Sequence, residues 1–92
     1  MAIIVHFHPT GLNADTYAET MRRLAAAGEG APRGRLHHAC YGAPDALRVV
    51  DIYATPQDFE EFGSKLMPIL GALGVDPGQP SIMPVVDLVR AG

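Results

Sequence analysis

The chain has 92 residues, 48% of them hydrophobic, and a formal net charge of -3. A chain of this length reads as one domain, residues 1–92, that buries only roughly 60–65% of the surface its unfolded form exposes. Its apolar content exceeds what a small solvated monomer needs, so a homodimer is expected. Seven scattered basic residues form no positive stripe and exclude nucleic-acid binding, and no apolar run approaches the ~20 residues of a membrane span.

Ala2 to His8 (AIIVHFH) is β-branched and apolar at its start and is broken by Pro9, Thr10 and Gly11, which predicts a first strand. From Asn13 the period changes to 3.6. Tyr17, Met21 and Leu24 form the apolar stripe of a helix that Asn13 caps, that carries Asp15 in its first turn, and that runs to about Ala27. Gly28 to Gly34 (GEGAPRG) is a surface loop.

Leu36 to Tyr41 and Leu47 to Tyr53 read as two strands joined by a hairpin over Gly42 to Ala46. Thr55 then caps a second helix with Pro56 at its first position and Asp58 at N3. The apolar stripe of that helix is Phe59, Phe62, Leu66, Ile69 or Leu70, and Leu73, and Pro68 removes one of its internal hydrogen bonds. Gly74 ends it. After the turn Asp76 to Pro80, a fourth strand is expected over Ser81 to Val89, with Pro84 placing it at an edge or a bulge.

The order β-α-β-β-α-β is the split, ferredoxin-like arrangement of the α+β class: one four-stranded antiparallel sheet with both helices on one face. A sheet with one wet face alternates apolar and polar residues. Here Ile3, Ile4 and Val5 follow one another, and the last segment offers Ile82, Val86 and Leu88 on one side and Met83, Val85 and Val89 on the other. Both faces need cover, which predicts that two copies pack sheet to sheet.

The block Arg48 to Phe62 (RVVDIYATPQDFEEF), followed by Leu66, Met67 and Pro68, resembles the small dimeric α/β-barrel proteins of the antibiotic-biosynthesis-monooxygenase type, in an uncharacterised branch. The resemblance implies a ferredoxin-like subunit, a dimer formed through the sheets, and a pocket between sheet and helices or in the barrel interior. Haem-degrading members of that group ligate iron through a histidine on the second helix, and Pro56 to Leu73 contains none. Cofactor-free monooxygenases of the group use Trp, Asn and Arg or Tyr groups around a polyphenol. This chain has no Trp, and its one Asn, Asn13, is a helix cap.

All four histidines, His6, His8, His37 and His38, fall in the first two strands. Alternation puts His6 and His8 on one side with Ile4, opposite Ile3, Val5 and Phe7, which should lie under the helices. Val49, Asp51 and Tyr53 share a side of strand three. His37 and His38 are adjacent and must point to opposite sides, so one of them, taken as His38 with an irregular strand two reversing the choice to His37, joins His6, His8, Asp51 and Tyr53 on one polar face, the expected site. Within it His6, His38, Asp51 and Tyr53 are the catalytic candidates; His8 and Val49, with Phe62 and Leu66 of the second helix, would contact ligand.

A histidine oriented by Asp51 suits general acid/base chemistry, monooxygenase- or isomerase-like, on a small aromatic or apolar metabolite without an organic cofactor. Non-catalytic small-ligand binding and histidines that merely pack at a dimer interface are the alternatives. A second is a zinc site from the His-x-His pair, a third histidine and Asp51. The single Cys40 cannot form an internal disulfide and reads as a small buried hydrophobe. Met1 to Pro9 has no basic start and too short an apolar run for a signal peptide, so a reduced, cytoplasmic location is expected.

Overall fold

A computed structural model describes residues 1–90; Ala91 and Gly92 of the domain expected over 1–92 lie outside the described residues. Alternation organises the first strand, β1 (Ile3–Phe7). Its odd residues Ile3, Val5 and Phe7 are buried, whereas Ile4 and His6 are only half-buried. The buried side meets two helices. Helix α1 (Ala14–Ala26) starts at a reciprocal cap, in which Asn13 accepts from the Thr16 amide at 2.9 Å and the Thr16 hydroxyl accepts from the Asn13 amide at 2.9 Å.

Strands β2 (Arg35–Ala43) and β3 (Ala46–Tyr53) form the expected hairpin. Thr55 caps helix α2 (Pro56–Ala72), its hydroxyl accepting from the Asp58 amide at 3.1 Å, and the helix continues through Pro68. Strand β4 (Ser81–Pro84) completes an antiparallel sheet of order β2-β3-β1-β4. Element order, antiparallel pairing and the packing of both helices on one face match the ferredoxin-like arrangement.

The last strand is shorter than the Ser81 to Val89 expected from its apolar residues. β4 pairs only with β1, whose ladder ends where Ile3 faces Pro84; one further bond joins the Val85 amide to the Ala2 carbonyl at 2.9 Å. Pro84 has no N–H to extend the pairing, and an edge is where a strand tolerates it. Beyond it the chain leaves the sheet with Val86 99% exposed and Val89 84% exposed.

The core lies between sheet and helices. Ile3, Val5, Phe7, Leu24, Tyr53 and Phe62 form its main cluster, and Leu12, Leu70 and Val75 a second at the far end. The opposite side of the sheet is apolar as well: Ile4, Val50, Ile52 and Met83 occupy paired positions there, and Met83 is 62% exposed. No helix is long and apolar enough to cross a membrane.

Candidate active site

Register decides which side chains meet. Directly paired residues of neighbouring strands point to the same side of a sheet, and Val5 pairs with Asp51, which pairs with His38. Val5 is fully buried under the helices. Asp51 and His38 therefore lie on the helix side, and His6, His8 and His37 on the other.

The expected single face is thus divided. His38, Asp51 and Tyr53 gather beneath the helices, while His6 pairs with Val50 and points outward. The outer group is a cluster of its own: His6 Nε2 and the Tyr41 hydroxyl share a hydrogen bond, their rings stack with centroids 5.8 Å apart, and His8 meets His6 edge-on at 5.1 Å. His8 sits beside Arg48, whose charge, with burial and His6 adding to it, holds the imidazole below its ordinary pKa. The expectation fails because it sets Asp51 and Tyr53 on the side of His6, opposite Val5, which would turn Val50 and Ile52 to the helices. They instead belong to the apolar outer side. His6 and His8 do not face Asp51, and among the described residues no three His, Cys, Asp or Glu side chains are grouped to hold a metal ion, so the zinc arrangement is not built.

On the helix side the polar groups form one chain. His38 Nδ1 lies 2.5 Å from Asp51 Oδ1, the Tyr53 hydroxyl donates to Asp51 Oδ2 at 3.1 Å, and His38 Nε2 lies 2.7 Å from the Tyr17 hydroxyl. An ionised carboxylate only accepts, so Nδ1 carries the proton, and Nε2 of the neutral ring is left to accept from Tyr17. Asp51 is 3% exposed, with both oxygens engaged. No buried side-chain nitrogen or oxygen among the described residues lacks a partner.

This chain forms the polar corner of a narrow cleft. Tyr17, Arg35, His38 and Asp51 line it on one side; Phe7, Leu12, Met21, Leu24, Val49, Phe62, Leu66 and Leu70 make its apolar walls. Val49, Phe62 and Leu66 are thus where a ligand in the cleft would meet them. Tyr53 is not in the wall. At 1% exposure it lies behind Asp51 and donates to that carboxylate, so of the catalytic candidates on this side only His38 and Asp51 line the cleft. Burial, then the Asp51 charge, raises its phenol far above the ordinary range. Tyr17 is also raised, chiefly by burial, with Cys40 and Asp51 adding and Arg35 opposing.

The comparisons with known proteins rest on this architecture. No protein-family model matches the chain, and no curated protein is significantly similar to it. Solved structures are. SnoaB, a cofactor-independent oxygenase from Streptomyces nogalater, superposes with a TM-score of 0.61 at 12% identity, covering 98% of this chain and 96% of its own. The chain shares the ferredoxin-like fold of that protein. A candidate antibiotic biosynthesis monooxygenase from Deinococcus radiodurans gives 0.61 at 11% identity over 100% and 99% of the two chains. NE2512, a protein of unknown function from Nitrosomonas europaea, gives 0.57 at 15% over 99% and 94%. The fold hosts these proteins of differing description, so the chemistry has to be argued from the cleft.

Two cleft residues escape the sequence reading. Tyr17 reads as one apolar position in a helical stripe, and its hydroxyl gains meaning only once α1 lies over His38. Arg35 sits at a loop boundary, and alternation alone would turn it away from His38, three residues on. A bulge between Arg35 and His37 corrects the phase: Arg35 pairs with Tyr53, His37 with Ile52 and His38 with Asp51, leaving Leu36 unpaired.

Proposed function

We propose that this protein is a proton-transfer enzyme acting on a small flat apolar molecule bound in the cleft, and that Tyr17, His38 and Asp51 carry the chemistry. The observation that supports this reading is the continuous hydrogen-bonded chain from Tyr17 through His38 to a buried carboxylate, at the single polar corner of apolar walls. A substrate proton passes to the Tyr17 oxygen as the Tyr17 proton passes to His38 Nε2. The products are a substrate anion and an imidazolium paired with Asp51. Tyr17 remains neutral before and after the step, in keeping with its raised pKa.

The apolar walls exclude water and favour flat aromatic substrates, and Met21, half-buried in the wall, supplies a flexible side chain that can yield to a ligand. The resulting anion is the species that isomerises or attacks molecular oxygen, the latter in line with the cofactor-independent oxygenase that shares this fold. Positioned acid/base groups supply typically ~10²–10⁴-fold in rate. The protein acts as a homodimer joined through the outer face of the sheet, where Ile4, Val50 and Met83 would be covered.

The test uses anthrone, a flat three-ring ketone with an acidic methylene group. Deuterium uptake in D2O is followed by NMR, and oxidation by visible absorption. His38→Gln and Asp51→Asn should each slow exchange by at least tenfold relative to the native chain. Exchange in the native protein no faster than in buffer, or equal in all three proteins, refutes the catalytic reading; bound anthrone without exchange makes the cleft a carrier's. Light scattering tests the dimer, and a stable monomer at micromolar concentration overturns it.

A further inference from the structure

We infer that Arg35 is an anion seat, and that the ligand of this cleft is a flat aromatic carboxylate whose acid group docks on the guanidinium. The inference rests on the cleft being the ligand site proposed above, and it names the class of ligand.

Three observations carry it. The bulge at Leu36 shifts the phase of β2, so that Arg35 shares the helix side with His38 instead of pointing outward with His37. Bulges beside functional sites commonly re-aim one side chain in this way. Arg35 is then held in the wall, its guanidinium carbon 5.5 Å from the centroid of the Phe62 ring, a contact that orients the planar group at the cleft. Finally, no carboxylate among the described residues forms an ion pair with it. Asp51, the one acid in the cleft wall, spends both oxygens on His38 and Tyr53. Asp58 and Glu61 border Phe62 in a neighbouring depression that does not include Arg35.

A half-buried guanidinium at the polar corner of a largely apolar cleft, with no acid in an ion pair with it, is complementary to a carboxylate, which it can grip with two parallel N–H bonds. The same corner holds the Tyr17 hydroxyl. A hydroxyl or acidic C–H beside the carboxylate of such a ligand therefore comes next to the proton chain. Arg35 then offsets the ligand's charge before transfer, and the imidazolium offsets the new one after it.

The experiment compares 1-hydroxy-2-naphthoate with its amide, 1-hydroxy-2-naphthamide, by fluorescence titration of the native chain, Arg35→Gln and Arg35→Lys, with circular dichroism to establish that each variant is folded. The native protein should bind the carboxylate at least tenfold more tightly than the amide. Arg35→Gln should abolish the preference, and Arg35→Lys should keep part of it. The seat is overturned if the native protein binds both equally or neither, a comparison that needs no variant, or if Arg35→Gln keeps the full preference. Binding is read without turnover. Carboxylate-selective binding with no His38-dependent exchange overturns the proton-transfer reading alone, and exchange on a neutral ligand with no carboxylate preference overturns the seat alone.

Discussion

Replacing Tyr53 by Phe removes one hydroxyl and tests whether Asp51 is held from behind. Tyr53 is 1% exposed, and its hydroxyl donates to Asp51 Oδ2 at 3.1 Å, so the deletion leaves one oxygen of a buried carboxylate without its protein partner. A hydrogen bond to a charged group contributes about 1.5–3 kcal/mol. For a domain of this size ~5 °C of melting temperature corresponds to each kcal/mol, which gives an expected loss of about 8–15 °C. Urea denaturation followed by circular dichroism measures it directly. Repeating the substitution in an Asp51→Ala background should cost far less, because the acceptor is then gone.

The same residue gives a signed pH dependence. Its pKa is raised in the folded state above the ordinary ~10 of the unfolded chain, so its contribution is fully present below pH ~10 and is lost as pH rises beyond it. The native protein should lose stability more steeply above pH ~10 than the Phe variant. A loss below ~0.5 kcal/mol, or an equal loss with and without Asp51, would refute the view that Tyr53 positions the carboxylate.

Three further outcomes are expected. Gly34→Ala should cost about 1–2 kcal/mol or more in urea denaturation, since Gly34 has φ +79° and an added Cβ would collide with the Asp58 carboxylate that takes part in the α2 cap; a neutral effect would contradict the placement of this loop. Cys40, its thiol pushed up by burial and by the Asp51 charge, should react with a disulfide reagent near pH ~8 several-fold more slowly in the folded chain than in urea, and equal rates would show it to be exposed. Arg48→Gln should raise the His8 titration midpoint in NMR, because the guanidinium is the main cause of its lowering. In the native protein this group makes stability fall as pH drops through the histidine range, and an unmoved midpoint would exclude the pairing.

The fold was legible because each element carried its own punctuation. Asn13 and Thr55 mark the helix starts, Gly42 to Ala46 the hairpin, and Pro84 an edge, and these signals are local. The site was legible only in part, because it depends on register. Asp51 and Val50 are adjacent, and composition does not say which one faces the helices when both sides of the sheet are apolar. The pairing of Val5 with Asp51 decides it, and that pairing spans 46 residues of chain. His38 and Asp51 could be matched from the hairpin alone, since β2 and β3 are neighbours in sequence. Tyr17 needed a helix docked over them, and Arg35 needed an irregularity that no turn residue announces.

Leu36 is one residue more than the facing stretch of β3 can pair. Arg35, His37 and His38 already face the consecutive residues Tyr53, Ile52 and Asp51, so removing Leu36 would make β2 regular and leave all three on the sides they now occupy. The polar corner of the cleft is thus insensitive to the loss of this residue, whereas drawing Leu36 into the ladder opposite Tyr53 would carry Arg35 beyond that pair and out of phase with His38. What places the guanidinium is therefore the pairing that a residue adopts and not the number of residues that separate it from His38.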